Sequence, residues 1–222
     1  MRHFEELLQD LLQLIVQMGT ITESMVRAAA DALVARDEQI CAGVFEKERE
    51  VNRLQVEVDD RAVKLTALQQ PMAQDVRFLF MASRIGGELE RIADQAINIC
   101  QNSRHVLDAP PMRPLVELPI MADVAQKMVR DSLSAMIQRD VAVAAVVLEE
   151  EKKVDAFRNQ IFSTMLDWMK RDTTTIDQSL SLILIARNLE RIGDHATNVA
   201  EEVIYWIQGR DVRHSKGTAK AI

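Results

Sequence analysis

The chain has 222 residues, of which 48% are hydrophobic and 27% charged, a balance that excludes a disordered tail protein and an integral membrane protein. A formal charge of −7 and a pI near 5.2, with no basic stripe, exclude the nucleic-acid-binding class and suit proteins or cations as partners. Gly (7) and Pro (5) are scarce while Ala, Leu, Glu, Gln, Arg and Met abound, so intrinsic propensity favours an all-α fold.

Taken in chain order, the N-terminus Met1-Arg2-His3-Phe4-Glu5-Glu6 is acidic and has no signal-peptide core. Apolar residues then recur at helical spacing over three segments, predicting helices over 4–36, 38–68 and 72–106. Pro71 suits a first-turn proline of the third helix, where its missing N–H costs nothing. Cys41 and Cys100 fall in apolar helical patterns without zinc-ligand spacing and read as buried free thiols of a reducing compartment.

Residues 108–114, Asp-Ala-Pro-Pro-Met-Arg-Pro, form a domain boundary that with Pro119 holds four of the five prolines. Beyond it the helical pattern resumes over 115–139, 141–171 and 175–208, with Asp172-Thr173-Thr174-Thr175 supplying capping residues before the last helix. Its longest apolar run, Leu180 to Ala186, is too short to span a bilayer, and a cytoplasmic location is expected. Residues 210–222 are polar and locally basic and read as a disordered tail.

The second half repeats the first. Met25-Val26-Arg27 through Arg36-Asp37 matches Met128-Val129-Arg130 through Arg139-Asp140 at an offset of 103, which also places Glu48 on Glu151 and Val51 on Val154. Leu89-Glu90-Arg91-Ile92 with Asp94, Ala96 and Asn98 matches Leu189-Glu190-Arg191-Ile192 with Asp194, Ala196 and Asn198 at an offset of 100. Constant offsets with the slip confined to a turn are what duplication of a folded unit leaves. The expected architecture is therefore a tandem duplication of an up-down-up three-helix bundle, 1–107 and 115–209, with crossing angles near about +20°.

The repeat also isolates the residues that could carry chemistry. Glu-x-x-x-Asp-x-x-x-Asn occurs as Glu90, Asp94, Asn98 and as Glu190, Asp194, Asn198, and a spacing of four lines them along one helix face. Leu89, Ile92, Ala93, Ala96 and Cys100 mark the buried side of that helix, which leaves the stripe at its border or exposed. The preceding helix carries Glu48 and Asn52 in one copy, Glu151 and Asp155 in the other. Antiparallel neighbours would bring four oxygen ligands together per bundle, a hard-cation site suited to Mg²⁺, Ca²⁺, Mn²⁺ or iron. Acidic residues at bundle edges also form surface ion pairs of little energetic weight, and both readings stand.

Arg91 and Arg191 either face water or neutralise a neighbouring stripe. No Glu-x-x-His pair of the di-iron bundles occurs, and no Gly-rich phosphate loop or nucleophile-base order supports catalysis. The methionines read as core filling, and Trp168, Tyr205 and Trp206 as covers of a bundle end or parts of a partner surface.

Three segments carry a family resemblance: Gln70-Pro71-Met72-Ala73-Gln74-Asp75-Val76-Arg77, Leu89 through Ala96, and Leu189-Glu190-Arg191-Ile192-Gly193-Asp194-His195-Ala196-Thr197-Asn198. They closely resemble the signatures of the PhoU family, and the likeness covers nearly the whole chain except the tail. The resemblance implies a non-enzymatic cytoplasmic adaptor that damps high-affinity phosphate uptake and the phosphate-starvation response. Its implied partners are the ATPase subunit of the ABC phosphate transporter and the phosphate-sensing histidine kinase, reached at the inner face of the membrane, with a homodimer as the expected assembly. It further implies metal ions, such as iron, zinc, Mg or Mn, at Glu48, Asn52, Glu90 and Asp94 and at Glu151, Asp155, Glu190 and Asp194, with no organic cofactor. Asn52 departs from the acid expected there, which favours the second cluster. Asp75, Arg77, Arg91 and Arg191 are the candidate partner contacts. The competing expectation is a carboxylate-rich metal store or redox enzyme.

Overall fold

The computed structural model describes residues 2–69, 71–110 and 116–213. Among the described residues the chain forms six α-helices: α1 (Arg2–Ala35), α2 (Gln39–Gln69), α3 (Ala73–Leu107), α4 (Glu117–Gln138), α5 (Val141–Arg171) and α6 (Ile176–Gln208). The longest run about 50 Å at the usual rise per residue. Among the described residues no helix is long and apolar enough to cross a membrane. The linker expected over 108–114 lies outside the described residues from 111 onward, and the tail expected over 210–222 from 214 onward.

Duplication shows in the turns as closely as in the helices. α1 and α4 both end on an arginine in the left-handed region, Arg36 at φ 53° and Arg139 at φ 52°. In each case the following Asp N–H reaches back six residues inclusive, Asp37 to Ala32 O and Asp140 to Ala135 O, both at 3.0 Å, closing a Schellman turn normally built on glycine. The same aspartates then start the next helix: Asp37 Oδ1 accepts from Gln39 N and Asp140 Oδ1 from Ala142 N.

Two prolines exchange the roles that the sequence suggests. α3 begins at Ala73 behind an extended Met72, so Pro71 stands outside the helix and stiffens the approach. Pro119 is instead the first-turn proline, the third residue of α4. Asp172 caps a short 3₁₀ turn, Thr173–Thr175, which feeds α6, and its carboxylate accepts from the Thr174 amide.

Each set of three helices packs antiparallel, but the two bundles share one core to which all six helices contribute. α3 packs more extensively on α6 than on either helix of its own bundle, and α1 also meets α4. Gly19 permits that second approach, since a Cβ there would stand 2.6 Å from Leu133 Cδ2. Polar clips fasten the seam. Arg130 on α4 pairs with Glu23 on α1 at 2.9 Å, and Arg84 on α3 with the buried Glu202 on α6 at 2.9 Å. Gln178 Nε2 donates to Val106 O and Pro110 O, tying the start of α6 to the end of the first bundle.

Candidate functional site

Glu48 and Asn52 lie on α2 and Glu90 and Asp94 on α3, while Glu151 and Asp155 lie on α5 and Glu190 and Asp194 on α6. In the first stripe, Asn52 Nδ2 donates to Glu48 Oε1 at 3.4 Å, while the buried Asn52 Oδ1 has no partner among the described residues. Burial raises the Glu90 carboxyl above its ordinary range, with the charges of Asp94 and Glu48 adding to the shift and Arg91 and His195 opposing it. Asp94 is raised by burial and then by Glu48. Those three carboxylates therefore share one field.

The second stripe is more crowded and partly answered from within. Asp194 is raised first by the protein packed around it, then by Glu190, Glu151 and Asp155, against a smaller opposing effect of His195. Arg158 on α5 donates to Glu190 Oε1 at 2.8 Å, placing one guanidinium inside the cluster. The donor chemistry fits a hard cation, since all four side chains offer carboxylate oxygen and a bound cation would relieve their repulsion. Their spacing is looser: among the described residues no three His, Cys, Asp or Glu side chains close around a single point.

Of the candidate partner contacts, Arg91 turns from its own stripe and donates to Glu88 Oε1 at 2.7 Å, whereas Arg191 is exposed and makes no ion pair among the described residues. Asp75 occupies the first turn of α3, where its charge suits the helix dipole, and lines a cleft of about 220 Å³ with Glu5, Gln74 and Arg139. Arg77 packs beside the turn that ends α6. Gly209 has φ +67° there, and a Cβ on it would lie 3.7 Å from the Arg77 guanidinium carbon. Asp75 and Arg77 thus belong to the end of the seam, and Trp206 covers that end, tilted against Phe78 at 5.2 Å and beneath Arg139 at 4.8 Å.

Sequence reasoning missed the polar centre of the seam. Glu88 Oε2 accepts from His195 Nδ1 at 2.7 Å and from Asn198 Nδ2 at 2.9 Å, bringing the second copy's motif onto α3. These partners, with Arg91, hold the Glu88 carboxyl below the ordinary range against the opposing effect of its burial. A signal existed in the repeat: at the offset of 100, Glu88 stands on Asn188 and Gln95 on His195, so the copies differ just where they touch each other. Cys41 and Cys100 are both buried free thiols, and burial pushes both up.

The chain matches the family model described as "PhoU domain" twice, over residues 15–103 and 118–203. It is 36% identical over 209 residues to the phosphate-specific transport system accessory protein PhoU homolog of Zymomonas mobilis, covering 94% of this chain and 88% of that one. It is 31% identical over 214 residues to the phosphate-specific transport system accessory protein PhoU of Escherichia coli, covering 96% and 89%. The crystal structure of PhoU from Pseudomonas aeruginosa superposes with a TM-score of 0.90 at 31% identity, covering 93% of this chain and all of that one.

Proposed function

The chain belongs to the PhoU family, and from that premise we propose that it is a negative regulator of high-affinity phosphate uptake and of phosphate-starvation signalling. In this reading it is a cytoplasmic adaptor without catalytic turnover, joining the ATPase subunit of the phosphate ABC transporter to the phosphate-sensing histidine kinase. The observation that carries the reading is that both halves match the family model and that the relatives at 36% and 31% identity are named accessory proteins of the phosphate transport system. The proposed assembly is a homodimer, peripheral to the membrane through its partners. Deleting the gene and scoring phosphate-starvation genes in high phosphate tests the regulator; unchanged expression would reject it.

A second reading concerns cations. The mutual repulsion around Asp194 favours a metal ion at Glu151, Asp155, Glu190 and Asp194, more than at the first cluster, where Asn52 replaces an acid. Elemental analysis of native protein beside Glu190→Gln/Asp194→Asn tests it; bound metal that the double variant loses is expected, and metal-free native protein counts against it.

A further inference from the structure

The groove between α2 and α3 continues past the acidic stripe into an apolar hollow. Glu48, Asn52, Gln55, Asp59, Val63 and Thr66 follow one line along α2 at spacings of three and four, and α3 supplies the facing wall. Its lower half is a hollow of about 440 Å³ whose walls include Val63, Leu79 and Phe80. Phe80 is 57% exposed and Val63 68%, a large aromatic and a β-branched residue left open to water side by side. The upper half carries Glu48, Glu90 and Asp94, and the Asp59 carboxylate borders the hollow, accepting from the Ser83 hydroxyl. None of these four carboxylates pairs with an Arg or Lys among the described residues.

The second bundle shows what the first lacks. Its groove has a hollow of about 360 Å³ set nearer the acidic stripe, lined by Phe162 and Ile183 at the positions of Asp59 and Ser83 and by Arg158 and Arg187, and Arg158 already sits on Glu190. The equivalent positions in the first groove are Gln55 and Gly87, neutral and small, and a Cβ on Gly87 would meet nothing within 4 Å. One groove thus holds its own cation, while the other places Glu48, Glu90 and Asp94 at one end and Val63 and Phe80 at the other with neither arginine between them.

We propose that the α2–α3 groove docks a cationic amphipathic helix of a protein partner, its basic residues on Glu48, Glu90 and Asp94 and its apolar residues against Phe80 and Val63. Charge complementarity chooses this occupant, because the missing guanidinium has to come from outside. From Glu48 to Thr66 the groove spans about 27 Å, the length of roughly eighteen helical residues. The inference rests on the accessory reading only for the existence of a partner; the groove itself is tested on the isolated protein.

The test is fluorescence anisotropy of a labelled helical peptide of about eighteen residues, with Lys and Arg in its first turns and Leu and Phe at i, i+4 in its last, titrated with full-length protein. Phe80→Ala and Glu90→Gln/Asp94→Asn, both surface changes checked for native helicity, each weaken binding about ten-fold, while Leu180→Ala on the corresponding face of the second bundle changes it less than about two-fold. A peptide of the same composition with the basic residues scattered binds at least about ten-fold more weakly. Binding that ignores Phe80→Ala, or falls equally with Leu180→Ala, overturns the proposal. So does displacement of the peptide by Mg²⁺ or Mn²⁺ that a chelator reverses, which would give the acidic end to a metal. Conversion of a dimer to monomers by Phe80→Ala in sedimentation would give the groove to a second copy and also overturn it.

Discussion

Glu88 on α3 and His195 on α6 meet at 2.7 Å across the seam between the two bundles, joining the first copy of the repeat to the signature motif of the second. The contact is well sheltered, with 13% of the Glu88 side chain and 18% of the His195 side chain exposed. Because the folded protein holds the Glu88 carboxyl below its ordinary range, the contact contributes stability above that range and loses it as pH falls through the folded value. Glu88→Gln should therefore cost about 1–2 kcal/mol in urea denaturation near neutral pH. The gap between variant and wild type should close in acid, below the ordinary carboxylate range, where the wild-type carboxyl takes up its proton.

Asp194 has the opposite sign. Its carboxyl is raised in the folded state, so the charged form is a cost at neutral pH that is relieved as pH falls through the folded value. Asp194→Asn in chelator should stabilise the protein by a few tenths of a kcal/mol at neutral pH, a gain that vanishes in acid. Thermal melts at both pH values check this. With a divalent cation present, the wild type should gain stability that the variant does not.

Gly193 lies inside α6 and is buried, where the first copy has the buried Ala93. A Cβ on it would meet Met128 Sδ and Val154 Cγ1 at 3.5 Å, ordinary contact distances. Gly193→Ala should raise stability by up to about 1 kcal/mol through helix propensity, read as a higher denaturation midpoint with unchanged slope.

Arg36 and Arg139 hold the same backbone conformation but do different work. The Arg36 guanidinium donates to Val106 O, Leu107 O and Ala109 O at 3.2, 2.9 and 2.7 Å, closing the end of α3, while Arg139 covers Trp206. Arg36→Ala should cost about 1 kcal/mol and speed amide exchange at the end of α3, leaving tryptophan fluorescence unchanged. Arg139→Ala should shift that fluorescence instead.

The helices were legible in the sequence because each buries one face at a 3.6-residue period, and the sequence bounds 141–171 coincide with α5. The buried side of α3 was equally legible: Leu89, Ile92, Ala93, Ala96 and Cys100 are all in the core. The seam was not, because periodicity reports that a face is buried without saying against what. A reading by repeats also sees what the copies share, whereas Glu88, His195 and the Arg84–Glu202 pair differ between copies. The acidic stripes were placed correctly on their helices, but the seating of Arg158 on Glu190 depends on side-chain conformation that spacing does not encode.

The most direct test of the regulatory account is the uptake of radiolabelled phosphate by cells grown in high phosphate, with the gene present, deleted, and restored in trans. The account predicts that deletion raises uptake several-fold, with starvation genes switched on, and that the wild-type gene returns both to the repressed level. Uptake and starvation-gene expression that stay at the repressed level after deletion would contradict it.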